Sequence, residues 1–459
     1  MLPEVTVIGG GLAGTEAAFQ LGARGIRVRL IEMRPVSASP AHHTAHLAEL
    51  VCSNSLKSDD PNTAAGMLKR ELDALGSVVL GAARAHRVAA GGALAVDRDA
   101  FAASLTSLIE ALPSVEVVRA VAGSIPAGDV IVASGPLTDE ALEPALRAMV
   151  GESRLAFFDA AAPIVDALSI DRDVCFAQSR YDKGDGPDYL NCPMDRDTYE
   201  AFVDALLSAE RAHAKDFETS DLFHACMPVE EIARRGRDAL RFGPMKPVGL
   251  TDPVTGGRPH AVVQLRAENR AGTAYNLVGF QTNLTFPEQR RVFGMIPGLK
   301  SATFLRYGVM HRNTFVDSPR LLRSDLALRS EPRIRIAGQL AGTEGYLEAA
   351  ASGLVAALGI VTARDSGGLP PLALPLTSAF GALLGYATDP ATTPYQPMHV
   401  NFGLMPPLDP PVRGKRERAA AYAGRGSDAI TAWVETAGAL GIHDVRALVA
   451  TCTGMAGAQ

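Results

Sequence analysis

The sequence predicts an α/β fold with a parallel sheet at its centre and a smaller α+β domain inserted into the chain. Two observations predict the sheet. An apolar run, a glycine cluster and a small-residue helix open the chain, and a similar strand, glycines and helix return after residue 333. A third observation predicts the insertion, because residues 191–300 are richer in charge and in turn dipeptides than their flanks.

The predicted elements follow the chain in an order that suits this fold. The first strand, helix and strand form a unit of about thirty residues, the size of a nucleotide-binding βαβ unit. The predicted ranges are Val5–Ile8, Leu12–Arg24, Val28–Ile31, Arg98–Leu112, Val115–Val118, Val130–Ala133, Ile334–Ala337 and a helix from Tyr346. We therefore expect residues 1–190 and 301–459 to form the sheet domain, with a basic helical segment at the C-terminus, and residues 191–300 to form the inserted domain.

The composition excludes several classes of protein. A chain that is 47% hydrophobic and 20% charged is globular rather than disordered. Five cysteines without a CxxC pair argue against a disulfide framework and a zinc ribbon, and no metal is predicted. The apolar stretch Ala349–Ala363 is shorter than the roughly 20 residues of a bilayer span, so we expect a buried helix. Because the N-terminus lacks signal-peptide features, we expect a cytoplasmic protein without a membrane partner.

The segment Gly9–Gly14 carries a GxGxxG motif that is typical of dinucleotide binding. Gly9 permits the tight turn, Gly11 lets the backbone approach a pyrophosphate, and Gly14 lets the helix pack closely on the sheet. Glu32 ends the second strand, where a carboxylate can accept hydrogen bonds from a ribose diol. Since the strand, helix and terminal acid are all present, the motif predicts a dinucleotide site rather than an ordinary glycine turn.

A late segment of the chain decides between NAD and FAD. The stretch RIRIAGQLAGTEGYLEAAASG has a strand, glycines and a second helix start, as in FAD enzymes of the glutathione-reductase type, to which it is similar. We therefore predict an FAD-binding Rossmann domain of that type. The predicted cofactor-binding residues are Gly9, Gly10, Gly11, Leu12, Ala13, Gly14, Glu32, Gly338 and Gly342.

Two of the cysteines have polar neighbours in the sequence. Cys52 lies in a polar loop close to Lys57, and Cys226 lies beside His224. A nearby cation lowers the pKa of a thiol and makes it a useful nucleophile. Judged on chemistry alone, both cysteines could equally be small buried apolar residues.

Several motifs spread over nearly the whole chain resemble the folate- and FAD-dependent tRNA (uracil-5-)-methyltransferases. They are VTVIGGGLAGTEAA, IEMRP, SPAHHTAHLAELVCSNSLKSDDPNTAAGMLK, FHACMPVEE, YNLVGFQTNLTFPEQRRVF and IAGQLAGTEGYLEAAASGL. The resemblance implies methylation of C5 of uridine 54 in the tRNA T-loop. It also implies 5,10-methylenetetrahydrofolate as the carbon donor and FADH2, regenerated from NAD(P)H, as the reductant.

The same resemblance implies catalytic roles for Cys52 and Cys226. Uracil C5 is a poor nucleophile, and a thiolate added at C6 makes C5 enolate-like. We assign Cys226 to the attack on C6 and Cys52 to the flavin side, as a transient partner or base, and the reverse assignment stays open.

A tRNA substrate calls for basic surface, although the formal net charge is −6. Clusters of basic residues lie within 234–246, 312–323 and 413–425. The last is the best candidate, and we predict that Lys415 and Arg416 contact tRNA. Any one cluster could instead be a solvated face paired with acids.

Three alternatives remain at this point. The nearest is the related FAD-dependent family that modifies the wobble uridine of tRNA, whose members are longer at the C-terminus. The second is a flavin oxidoreductase acting on small molecules. The third is a noncatalytic FAD-dependent RNA-binding or scaffold protein, in which the two cysteines of the polar loops would have no role.

Overall fold

A computed structural model describes residues 4–39, 41–151, 154–182, 186, 188–212, 227–267, 272–364, 373–392, 395, 397–437 and 440–454. For residues 154–161, 182 and 309–314 the backbone alone is described. The strands are β1 Val5–Ile8, β2 Val28–Glu32, β3 Ser55–Ser58, β4 Arg87–Val88, β5 Ala93–Val96, β6 Val115–Arg119, β7 Asp129–Val132, β8 Arg154–Ala161, β9 Ile164–Asp166, β10 Phe176–Ala177, β11 Tyr189–Met194, β12 Ala261–Ala267, β13 Ala274–Leu277, β14 Phe304–Arg306, β15 Val309–Val316 and β16 Ile334–Ile336. The helices are α1 Leu12–Gly22, α2 Ala64–Leu75, α3 Val78–Ala85, α4 Arg98–Glu110, α5 Glu143–Val150, α6 Arg196–Ser208, α7 Val229–Arg234, α8 Ala239–Phe242, α9 Phe286–Phe293, α10 Ser318–Leu321, α11 Tyr346–Arg364, α12 Ala379–Thr388, α13 Lys415–Thr436 and α14 Ile442–Cys452.

The central sheet contains five parallel strands in the order β16, β7, β1, β2, β6. All four residues of β1 are buried, as expected for a strand covered by helices on both faces. The predicted strands of this sheet are confirmed, each to within one residue. The chain leaves β1 towards β2 on one side and returns through β7 on the other. The carboxyl end of β1 is therefore the switch point at which ligands bind in open α/β sheets.

Helices α1 and α11 pack closely beside this sheet. A Cβ atom added at Gly353 of α11 would lie 2.0 Å from the carbonyl oxygen of Ala13 in α1, so the helices approach closely because glycine stands there. Within the described part of the chain, α11 is the one helix long and apolar enough to cross a membrane, and 78% of its apolar window is buried inside the protein. It is a core helix, as the sequence predicts.

A second unit is built on six antiparallel strands in the order β10, β11, β12, β13, β9, β14. Its own apolar core includes Phe202 of α6, Phe293 of α9 and Leu265 of β12. Because β9 and β14 belong to this sheet, the unit runs from Ile164 to Arg306 and is longer than the expected 191–300. The strands β9, β10 and β14 have only two or three residues each, too short to give a periodic sequence signal.

The remaining elements connect and cover the two units. The antiparallel pair β8 and β15 leads into and out of the second unit, and β3, β5 and β4 form a small sheet after the Cys52 loop. The C-terminal helix α13 returns to α2, where Arg70 donates to the carbonyl oxygen of Ala423 at 3.1 Å. The basic C-terminal segment is therefore packed on the sheet domain.

Candidate functional site

The turn between β1 and α1 has a different packing environment at each glycine. Gly9 has a φ of +101°, and a Cβ added there would lie 2.5 Å from the carbonyl oxygen of Ala133. A Cβ at Gly14 would lie 1.8 Å from the carbonyl oxygen of Gly9. At Gly11, by contrast, no described atom lies within 4 Å of the added Cβ. Gly9 and Gly14 thus serve the turn and the helix packing, and Gly11 faces open space.

This open space is part of a cavity of about 450 Å³ at the carboxyl ends of the central strands. The cavity wall brings together most of the predicted site: Gly9, Gly10, Gly11, Leu12, Ala13, Glu32, Cys52 and Gly338. Gly14 and Gly342 lie behind the wall. Gly342, at a φ of +76°, stands against Tyr395, whose hydroxyl would be 2.0 Å from an added Cβ. Its role is in packing rather than in contact with the cavity.

Glu32 is a buried carboxylate that binds the glycine turn. Its Oε2 accepts a hydrogen bond from the Gly10 N–H at 2.7 Å, and its Oε1 accepts from Arg34 Nε at 2.7 Å. Burial alone would raise the pKa of Glu32, but the hydrogen bonds from Arg34 and Gly10 outweigh it and hold that pKa below its ordinary value. Among the described contacts Oε2 accepts one bond, and therefore retains a lone pair for a ribose hydroxyl.

The Cys52 thiol contacts the first residue of α11. Tyr346 Oη lies 2.8 Å from Cys52 Sγ and accepts hydrogen bonds from the backbone N–H groups of Cys52 at 2.9 Å and Ser53 at 3.1 Å. Burial, reinforced by the charge of Cys52, raises the pKa of Tyr346 well above its usual value, so the hydroxyl keeps its proton. With its lone pairs facing the two N–H groups, Tyr346 directs that proton at the sulfur, where it stabilises a thiolate.

The second unit holds the Cys52 loop from the other side through two arginines. Arg306 of β14 donates to the carbonyl oxygens of Val51 at 3.0 Å and Cys52 at 3.5 Å. Arg266 of β12 donates to Ser53 Oγ at 2.7 Å and to Asn54 Oδ1 at 2.9 Å. The Cys52 loop is therefore positioned by both units of the protein.

Lys57 contacts a carboxylate rather than the thiol. Its Nζ lies 2.6 Å from Oε1 of the buried Glu348, in the first turn of α11. His399 also lines the cavity, and burial together with the charge of Lys57 lowers the pKa of His399, which favours its neutral imidazole at pH 7. The side chain in contact with the Cys52 thiol is thus not the expected sequence neighbour Lys57 but Tyr346, a residue almost 300 positions away.

Several predicted residues stand apart from this cavity. Cys226 and its neighbour His224 lie outside the described residues. Cys175 and Cys192 place their sulfur atoms 3.5 Å apart in the second unit, and Cys452 is exposed at the end of α14. Among the described residues, no group of three or more His, Cys, Asp or Glu side chains could hold a metal ion.

The basic clusters differ in how they are paired. In the 234–246 cluster, Arg237 binds Glu200 at 2.6 Å and Asp204 at 2.7 Å, and Arg241 binds Asp238. In the C-terminal cluster, Lys415 and Arg416 are both exposed on the first turn of α13. In the 312–323 cluster, Arg320 binds Asp317 and Arg323 binds Asp325. Among the described residues, by contrast, no ion pair joins Lys415 or Arg416 to an acid.

Sequence reasoning missed the residues that position Cys52. Tyr346 stands in the GTEGY stretch of the late segment, whose similarity to flavoenzymes could have indicated it. Arg266 stands in the seven-residue strand β12 and Arg306 in the three-residue strand β14, neither within a motif. Their contacts to residues 51–54 span more than 200 positions. Such contacts become visible only once the two units are folded together.

Comparison with known proteins gives one consistent family. The profile of the family described as glucose inhibited division protein A matches residues 4–367. The chain is 55% identical to the methylenetetrahydrofolate–tRNA-(uracil-5-)-methyltransferase of Geobacter sulfurreducens over 437 residues, 95% of this chain and 100% of that protein. It is 54% identical to the Moorella thermoacetica protein of the same name, covering 93% of this chain and 97% of that one.

A solved structure has the same fold at much lower identity. Glucose inhibited division protein A of Aquifex aeolicus superposes with a TM-score of 0.67 at 17% identity, covering 96% of this chain and 73% of that chain. At this identity the similarity concerns the fold, including the parallel sheet and the second unit.

Proposed function

Because the chain belongs to the glucose inhibited division protein A family and, more closely, to the methylenetetrahydrofolate–tRNA-(uracil-5-)-methyltransferases, we propose that it methylates C5 of uridine 54 in the tRNA T-loop. The one-carbon donor is 5,10-methylenetetrahydrofolate, the cofactor is FAD, and NAD(P)H is the source of electrons. The observation that carries this proposal is the position of Cys52 and Tyr346, which contact each other on the wall of the cavity that begins at the glycine turn.

The residues around the cavity fit FAD. Gly11 faces open space, and no described side chain caps the first turn of α1, so its N–H groups and positive dipole end are available to a pyrophosphate. Gly9–Ala13 would contact the phosphates, and Glu32 would bind the ribose. Gly338 would lie where the flavin end of the cofactor approaches the wall of the cavity. When bound there, FAD supplies the reducing equivalents of the reaction.

The two cysteines divide the remaining chemistry. The Cys226 thiolate forms a bond to C6 of uracil, and the electron pair of the C5–C6 double bond makes C5 nucleophilic towards the methylene donor. The C5 proton must then pass to a base, and tetrahydrofolate must leave, which gives an exocyclic methylene at C5. That methylene must gain a hydride, for which bound FAD would supply the reducing equivalents, before the thiolate leaves C6. Cys52, held beside Tyr346, serves the flavin side as a transient partner or as that base.

Tyr346→Phe tests how the thiol is positioned. It removes the proton directed at Cys52 Sγ and the acceptor of two backbone N–H groups. We expect a slower alkylation of Cys52 by iodoacetamide at pH 7, because less thiolate is present, and a lower methylation rate. Peptide mass spectrometry measures the modified fraction of Cys52, with Tyr386→Phe, on α12, as the matched control. Unchanged alkylation kinetics would contradict the role of the Tyr346 hydroxyl.

Lys415 and Arg416 are proposed to bind tRNA phosphates, since both are exposed at the N-terminal end of a long helix. Replacing both with alanine should weaken tRNA binding and lower the salt slope of log K by about 0.7–0.9 for each lost phosphate contact, with FAD content unchanged. Filter binding over a salt series measures this. Arg237→Ala, in the cluster paired with acids, is the control. If tRNA binding weakens only in Arg237→Ala, the tRNA-binding surface includes the 234–246 cluster instead of the start of α13.

One assay tests the proposed function as a whole. The purified protein, supplied with labelled methylenetetrahydrofolate and NAD(P)H, should transfer label to unmodified tRNA, and nuclease digestion should place the label in 5-methyluridine at position 54. A flavin oxidoreductase of small molecules or a scaffold would transfer none. Label at the wobble position would instead favour the related wobble-uridine family, although relatives at 54–55% identity carry the uracil-5-methyltransferase name.

A further inference from the structure

Three aromatic side chains form a stack on the surface of the second unit. The rings of Phe304 and Tyr307 have centroids 5.1 Å apart and planes at 10°, and the rings of Tyr307 and Phe286 are 4.6 Å apart at 13°. Phe286, at one end of this aromatic ladder, is 51% exposed. The ladder is therefore a nearly parallel stack whose outer ring is open to solvent.

A cation borders the ladder. The exposed Arg290 donates from Nη2 to the hydroxyl of Tyr307 at 2.5 Å, and its guanidinium lies 5.9 Å from the centre of that ring. A flat aromatic face edged by an arginine matches an unpaired nucleotide, whose base stacks while its phosphate meets the positive charge.

The ladder adjoins the strand β14, which contacts the Cys52 loop. Arg306 lies between Phe304 and Tyr307 in sequence and donates to the carbonyl oxygens of Val51 and Cys52. The ladder thus begins on the strand that contacts the Cys52 loop.

The other end of the ladder lies close in sequence to a second anchored stretch. Ala212 N–H donates to the carbonyl oxygen of Asn283 at 2.8 Å, and Val229 N–H donates to that of Gln281 at 2.7 Å. Both acceptors precede Phe286 by no more than five residues. Phe286 therefore starts its helix directly after a stretch fixed to two other parts of the second unit.

We propose that the aromatic ladder is a stacking platform for an unpaired base of the tRNA substrate, in the same loop as the reacting uridine. The inference rests on the proposed function for its ligand and deepens it by naming the surface that receives the loop. Phe286 stacks on the base, and Arg290 meets a neighbouring phosphate. Because stacking neutralises no phosphate, the two residues contribute differently to the salt dependence of binding.

The test compares tRNA binding by three variants of the FAD-loaded protein. Phe286→Ala should raise the Kd for unmodified tRNA roughly 5- to 100-fold, the range expected for one lost base–aromatic stack, without changing the salt slope. Phe286→Trp should bind at least as tightly as the wild type, since indole also stacks. Phe242→Ala, which truncates another exposed phenylalanine of the second unit, should leave the Kd unchanged.

Other outcomes overturn the proposal. An unchanged Kd for Phe286→Ala, in a protein whose wild type binds and methylates tRNA, rejects the platform and leaves the proposed function standing. Equal losses of tRNA affinity in Phe286→Ala and Phe242→Ala reject the platform as well. It is also rejected if Phe286→Ala changes the sedimentation coefficient without changing tRNA affinity, a result that would assign the ladder to contact between copies of the chain. A wild type that neither binds nor methylates tRNA rejects both proposals.

Discussion

Cys226→Ala is expected to stop methyl transfer while leaving FAD bound and reducible by NAD(P)H. Without the thiolate, C5 of uracil stays unactivated, and the loss should equal or exceed the roughly 10²- to 10⁴-fold commonly due to one catalytic group. Cys52→Ala should lower turnover and also alter the flavin absorbance spectrum or its reoxidation, because Cys52 lines the cavity. Single-turnover methylation and anaerobic spectra measure the two effects.

A trapped adduct separates the roles of the two thiols. A tRNA with 5-fluorouridine at the target position has no removable proton at C5, so the thiol adduct at C6 should persist. Mass spectrometry should place this crosslink on Cys226. A crosslink on Cys52 would reverse the assignment, and full activity in both alanine variants would exclude the covalent route. Cys452→Ala, which changes an exposed cysteine in the last turn of α14, should behave as the wild type.

Gly11→Ala is expected to yield a folded protein that is colourless after desalting. The new methyl group meets no described atom within 4 Å, so the fold accepts it, yet it occupies the space where the pyrophosphate must approach the backbone. Absorbance at the flavin bands and circular dichroism measure cofactor retention and folding separately. The methylation rate of Gly11→Ala should fall in proportion to the FAD that it loses.

Two glycines provide the controls for this prediction. Gly424→Ala, in α13, also adds a methyl group to open space and should retain FAD fully. Gly14→Ala places a methyl group 1.8 Å from the carbonyl oxygen of Gly9 and should lower the melting temperature before it changes the affinity for FAD. A Gly11→Ala protein as yellow as the wild type would place the pyrophosphate elsewhere.

The central sheet was predictable because its signals are local. Each strand is a short apolar run, and the glycine motif and Glu32 stand at fixed distances around the first helix. The predicted helix over Leu12–Arg24 ends two residues early, at Gly22, before the turn at Gly25 with its φ of +72°. Seven of the nine predicted cofactor residues line the cavity for the same reason.

The surroundings of Cys52 were not predictable because they depend on distant parts of the chain. Lys57 is five residues from Cys52, yet the buried carboxylate of Glu348 binds its ammonium group, since a buried charge requires a partner. The hydroxyl beside the sulfur comes from Tyr346, and the loop backbone is bound by Arg266 and Arg306. Nothing in residues 47–60 specifies these partners.

The contact between α1 and α11 bears on which part of the molecule can open. Gly353 brings α11 against Ala13, so the glycine turn at the start of α1 and Tyr346 at the start of α11 belong to one tightly packed body. Backbone amides in such a body exchange with solvent through global unfolding, whereas amides in less densely packed parts exchange through smaller openings. Deuterium uptake should therefore be slowest in α1 and the middle of α11.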